Sequence, residues 1–181
     1  MPRDPSRVAV LAVGGWDPTG GAGLSVDTAV LRALGAHPLA VCTGLAVQTG
    51  STFVRRDDSG ADSIRAQLDA AARYPLSAVK TGMLGSREQA GVVLDWLRAH
   101  PGIPWVLDPV LESTSGGVLT DDATQLREAL DRATLVTPNL SEASQLTELP
   151  VGSAQTMEQA AGALHALGAT WVWLKGGHLK A

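Results

Sequence analysis

Six apolar runs punctuate the chain, at 8–13, 39–47, 78–81, 105–110, 135–137 and 171–174, and none alternates polar with apolar residues. Runs of that kind read as strands covered on both faces. Between them the apolar positions fall at helical spacing: Leu24, Val30, Leu31 and Leu34, then Ile64, Leu68 and Ala71, then Val93, Trp96 and Leu97, then Leu126 and Leu130, then Ala160, Leu164 and Leu167. Ser86 with Gln89, and Thr156 with Gln159, have the spacing of a capping box, in which side chains satisfy the free N–H groups at a helix start. Gly35 and Gly168 follow the last apolar residue of their helices, where a left-handed residue ends the helix. Strand alternating with helix, with no internal repeat, predicts a mostly parallel sheet with helices on both faces.

Composition narrows the picture. At 181 residues the chain fits one domain, 1–181, with a sizeable core. A net charge of −4, with arginines scattered among acidic residues, gives no basic stripe and argues against nucleic acid. Cys42 is the single cysteine, so no intrachain disulfide can form, and a reducing cytoplasm is the expected setting. It sits in an apolar run and reads as core. The opening MPRDPSR is expected to be disordered, and the first apolar run is too short for a signal core or a membrane span. No histidine pair has metal-ligand spacing.

In open α/β sheets ligands bind at the carboxyl ends of the strands. The residues there are 14–23, Gln48, Gly82 and Met83, Asp108 and Pro109, Pro138 and Asn139, and 175–178. The first, GGWDPTGGAG, has the G-x-x-x-x-G of a phosphate loop, but Gly21 and Ala22 stand where a P-loop has its lysine and hydroxyl. It also lacks the third glycine of a dinucleotide fingerprint. Alone, such a loop is more often a tight strand-to-helix connection. Asp17 before Pro18 reads as a turn opener and is not assigned to the site. Asn139 and Glu142 stand at capping-box spacing and serve as well for capping as for ligand contact. A carboxylate such as Asp108 at a buried strand end is costly without a partner.

Six stretches, GGWDPTGGAGLSVD, ALGAHPLAVCTGLAVQT, VKTGMLGS, VLDPV, TPNLSEA and WLKGGH, occur in an order and spacing that resemble the hydroxymethylpyrimidine and phosphomethylpyrimidine kinases of thiamin biosynthesis, within the ribokinase-like superfamily. The resemblance implies a three-layer α/β/α fold and transfer of the γ-phosphoryl of ATP to a hydroxymethyl or phosphomethyl pyrimidine. It places Gly15, Asp27, Ala46, Gln48 and Met83 around the pyrimidine, with Gln48 offering a donor and an acceptor to the ring edge. Asn139 and Lys175 are expected on the ATP phosphates, and Asp108 and Glu142 near Mg²⁺, which favours carboxylate and water oxygens. Phosphoryl transfer asks mainly for positioning and charge neutralisation from such residues.

In the resembling kinases a further glycine-rich loop follows, carrying the anion hole and the base. The sequence ends at Ala181 without such a stretch, so the fold is expected to be shortened at its C-terminus and the catalytic base is assigned to no residue. Loss of terminal helices would bare part of an apolar sheet face, and a homodimer is the expected assembly. Two other readings stand beside the pyrimidine kinase: a pyridoxal kinase, sharing the fold and the ATP side, and a non-catalytic relative that keeps only the ring pocket.

Overall fold

A computed structural model of the chain describes residues 8–113 and 116–177. The N-terminal stretch 1–7 and His178 of the last motif lie outside the described residues. The order of elements is β1 (Ala9–Trp16), α1 (Gly23–Ala33), β2 (His37–Gln48), β3 (Phe53–Asp58), α2 (Ala61–Ala71), β4 (Leu76–Thr81), α3 (Arg87–Ala99), β5 (Trp105–Leu107), α4 (Ala123–Glu128), β6 (Leu135–Val136), α5 (Leu140–Thr147), α6 (Ala154–Ala166) and β7 (Trp171–Val172). The strands form one sheet in the order β3-β2-β1-β4-β5-β6-β7. Every neighbouring pair is parallel except β2 with β3.

All six apolar runs are strands. β3, FVRRDD, is an additional one, and its polar sequence fits an antiparallel edge strand with little to bury. Alternation along each strand sorts the two faces. One face carries Leu11, Val13, Val79, Trp105, Leu107 and Val136, and these pack with Ile64 and Leu68 of α2, Val93 and Leu97 of α3, Leu126 of α4, Leu146 of α5 and Leu164 of α6 in one core. Burying each such side chain contributes about 1.5–3 kcal/mol, which makes this layer the main source of stability.

The second face differs. There α1 packs on β1 and β2, and the opposite parity of the remaining strands runs from half-buried Ala78, Val106 and Leu135 to exposed Trp171 and Trp173. The apolar stripe of α1 is correspondingly incomplete, since Leu24 is buried whereas Val30 and Leu34 are exposed. The packing of α1 is mainly on β1 and β2, which leaves that part of its stripe uncovered.

The helix signals hold with one correction. Ser86 and Gln89 form a reciprocal capping box on α3, and Gly35 and Gly168 have φ of 80° and 109° after α1 and α6. The box of α6, however, pairs Ser153 with Thr156, one turn before the expected Thr156 and Gln159. Cys42 is half-buried rather than in the core, its Sγ donating to the Gly44 carbonyl at 3.3 Å.

Candidate functional site

The loop after β1 is shaped by its glycines and by Asp17. Gly23, the first residue of α1, has φ of 60° and lies against the Gly15 carbonyl, so the chain folds back on itself with no room for a Cβ. Asp17 is buried and caps this turn, accepting from Thr19 N and Thr19 Oγ1 at 2.9 Å each. Burial pushes its carboxyl up, but hydrogen bonds from Thr19, from the Gln48 side chain and from Ala22 N outweigh this and hold it below the ordinary aspartate value. The reading of Asp17 as a plain turn opener is therefore incomplete: it forms the turn and also borders the site.

That site is a cavity of about 140 Å³ at the strand ends, smaller than the roughly 300–1,000 Å³ of drug-sized ligand sites and suited to a single ring. Gly15, Asp27, Ala46, Gln48 and Met83, predicted together from sequence, all line it. Asp17, Lys80, Gly82, Asp108, Val110 and Leu119 complete much of the wall. Its apolar part is a small cluster of Ala46, Met83 and Leu119 backed by Phe53 and Val110. Met83 is seated from two sides. Thr43 Oγ1 donates to its carbonyl at 2.7 Å, and its side chain fills the space beside Gly15, where a Cβ would lie 2.7 Å from Met83 Cε.

One end of the cavity is charged. Lys80 Nζ donates to Asp27 Oδ2 at 2.8 Å and stands 3.7 Å from Asp108 Oδ2. The other oxygen of Asp108 accepts from Lys175 Nζ at 2.9 Å and from Thr137 Oγ1 at 3.1 Å. Lys80, Asp108, Thr137 and Lys175 project from β4 and from the ends of β5, β6 and β7 onto the sheet face that also carries α1, the helix of Asp27.

Asn139 and Glu142 line a neighbouring cavity with Leu111, Glu112 and Ser113. They form the capping box of α5: Asn139 N donates to Glu142 Oε2 at 2.8 Å, and Glu142 N to Asn139 Oδ1 at 2.9 Å. Burial raises the Glu142 carboxyl above its ordinary value. The hydrogen bond from Asn139 N and the charge of Lys175 pull against this, and the charge of Asp108 adds to it. The backbone brings the two regions together, since Lys175 N donates to the Pro138 carbonyl at 2.8 Å, next to Asn139. The nine predicted residues thus fall into five around one cavity, two at its neighbour, and Asp108 with Lys175 at the ring cavity's charged end.

Lys80, Asp17, Val110 and Leu119 were not foreseen. Lys80 lies inside the VKTGMLGS stretch, one residue before the end of β4, and strand parity aims it at the site. Val110 closes the VLDPV stretch, whereas Leu119 carries no local signal, because the loop that brings it here has no periodic pattern.

No group of three or more His, Cys, Asp or Glu positioned to hold a metal occurs among the described residues. None of their helices is long and apolar enough to cross a membrane.

Comparison with known proteins adds to this geometry. The model of the phosphomethylpyrimidine kinase family matches residues 17–181. The hydroxymethylpyrimidine/phosphomethylpyrimidine kinase of Mycobacterium tuberculosis is 39% identical over 176 residues, which cover 94% of this chain and 64% of that protein. The thiamine biosynthesis multifunctional protein ThiED of Corynebacterium efficiens is 38% identical over 182 residues, 98% of this chain and 24% of that protein. Among solved structures, the phosphomethylpyrimidine kinase of Clostridium difficile 630 superposes with a TM-score of 0.88 at 28% identity, over 97% of this chain and 78% of that one. The Staphylococcus aureus pyridoxal kinase in complex with AMP-PCP and pyridoxal gives 0.84 at 29% identity, over 95% and 63%. The chain spans about 64% of the length of the mycobacterial kinase it matches. The fold is ribokinase-like, and with the family pattern running from the turn at Asp17 onward, the chain belongs to the phosphomethylpyrimidine kinase family.

Proposed function

We propose that this chain supplies the ring pocket and part of the phosphate side of an ATP-dependent kinase acting on hydroxymethylpyrimidine or its monophosphate. The observation that carries the reading is the convergence of Gly15, Asp27, Ala46, Gln48 and Met83 on one ring-sized cavity, with Asp108 and its partner Lys175 at one end. Gln48 and Asp27 meet the polar edge of the heterocycle, Met83 packs on its face, and Ala46 and Gly15 bring backbone close to it. Asn139 and Lys175 serve the nucleotide phosphates. The hydroxymethyl oxygen, or a phosphate oxygen when the monophosphate is the acceptor, attacks the γ-phosphorus, the bond to the β–γ bridging oxygen breaks and ADP leaves. The hydroxyl proton passes to a base that no described residue is assigned to supply.

Asp108 and Glu142 would hold Mg²⁺. They are near enough for the charge of Asp108 to act on Glu142, and both already have protein partners, so they fit an ion held largely by water and phosphate oxygens. The Mg²⁺ would neutralise charge on the transferring phosphoryl group. A cytoplasmic setting is compatible with the single unbridged Cys42, and a homodimer would cover Trp171 and Trp173.

Calorimetric titration with hydroxymethylpyrimidine, pyridoxal and Mg-ATP tests the reading. The pyrimidine is expected to bind more tightly than pyridoxal, and Gln48→Ala to lose about tenfold or more in pyrimidine affinity, from ring atoms left unpaired at ~1–3 kcal/mol. Preference for pyridoxal would assign the pocket to the pyridoxal kinase reading, which the structural likeness to the Staphylococcus aureus enzyme keeps open. Unchanged affinity in Gln48→Ala would move the ring elsewhere.

A further inference from the structure

Lys80 has no part in the function proposed above, yet it lines the cavity itself and is paired there with Asp27. Its strand neighbours Val79 and Thr81 are fully buried in the opposite face, and its own side chain is only 25% exposed. An ammonium withdrawn from water to that degree is costly unless it is paired. Here it stands between two carboxylates, hydrogen-bonded to Asp27 Oδ2 at 2.8 Å and 3.7 Å from Asp108 Oδ2. The space it occupies lies over Gly82, where a Cβ would come within 3.2 Å of Nζ. Asp108 is held on its far side by Lys175. The charges therefore alternate, Asp27, Lys80, Asp108, Lys175, from the ring end of the cavity to its phosphate end.

We infer that Lys80 is a positioning residue that ties the two halves of the site together, orienting Asp27 toward the ring and bridging it to Asp108. Two carboxylates facing one cavity repel each other, and an ammonium between them removes that repulsion. Among the described residues only Oδ2 of Asp27 takes a hydrogen bond. The Lys80 contact thus fixes the rotation of the carboxylate and leaves Oδ1 as the acceptor for a ligand. An unheld carboxylate would instead lose rotamer freedom on every binding event. With its Nζ engaged by Asp27 and close to Asp108, Lys80 acts on the ring through Asp27.

The inference rests on the proposed pyrimidine site, and the test separates the two. Hydroxymethylpyrimidine affinity is measured by calorimetry for the unaltered protein, Lys80→Met, Lys80→Gln, Lys80→Arg, Asp27→Asn and the double variant Lys80→Met/Asp27→Asn, with thermal melting to establish that each is folded. The neutral variants are expected to lose about tenfold in affinity, and the double variant to bind no more weakly than Asp27→Asn alone, as coupled neighbours do. Lys80→Arg, which keeps the charge, is expected to recover part of the loss. Lys80→Met and Lys80→Gln are read independently, so misfolding of one leaves the other to decide. A lower melting temperature with unchanged affinity, or losses that simply add in the double variant, would overturn the role given to Lys80. If the unaltered protein does not bind the pyrimidine, the site assignment fails and the inference goes with it.

Discussion

Gly15 and Gly23 border the same turn but are glycines for different reasons. At Gly15 the obstacle to a methyl group is the tip of the Met83 side chain, 2.7 Å from an ideal Cβ. A thioether can swing aside, so Gly15→Ala is expected to fold with a small loss of stability while pushing Met83 into the ring cavity and weakening pyrimidine binding by about tenfold. At Gly23 the obstacle is the Gly15 carbonyl, and φ is 60°. Gly23→Ala is expected to cost at least ~1–2 kcal/mol from the left-handed backbone alone, lowering the melting temperature by roughly 2–8 °C for a chain of this size. Melting curves and titrations on the two variants check this contrast. At this scale the residues that sequence reasoning grouped by type and motif position, such as Gln48 and Met83, line one cavity. It undervalued Asp17, because Asp-Pro is a turn signal wherever it occurs, and the Gln48 contact that makes it part of the site spans two strand ends distant in sequence.

The helix α5 shows how one device can serve two ends. Its first turn is closed by Asn139 and Glu142, and the buried carboxyl of Glu142 holds its proton more tightly folded than unfolded. A group with a raised folded pKa takes up protons on folding, so its contribution to stability is fully present below the ordinary glutamate value and is lost as pH rises through the folded one. Glu142→Gln keeps an acceptor for Asn139 N and removes the titration. Its melting temperature is expected to fall less than that of the unaltered protein as pH rises from the ordinary glutamate range toward neutrality; an identical slope would mean that Glu142 does not titrate in this window. The regular elements were mostly legible from apolar runs and caps. β3 was not, because Phe53–Asp58 buries so little that no periodic pattern marks it. Its place is set instead by pairing with β2 and by Arg56, whose guanidinium reaches Asp121 at 3.0 Å in a loop 65 residues away.

Across the whole molecule the two sheet faces are unequal. Helices α2–α6 cover one, whereas α1 sits on β1 and β2 of the other and leaves Trp171 and Trp173 66% and 68% exposed. Since they bury little, replacing both by serine is expected to leave the melting temperature nearly unchanged while reducing self-association in sedimentation or light scattering. A large drop in stability would show that the indoles are packed after all. The mostly parallel sheet followed from the alternation of strand and helix; a partly bare apolar face was expected from the family resemblance and not from the strands themselves, because an apolar strand reads the same whether or not a helix lies on it. The parity of β7 carries a further consequence. Trp173 and Lys175 are two residues apart along one extended segment and point the same way, about 7 Å from each other. Any surface that settles on the indoles also strips water from around the ammonium, deepening its attraction to Asp108 in the lower local dielectric. Occupancy of a patch outside the cavity would then govern how readily that cation lets go of its carboxylate to greet an arriving anion.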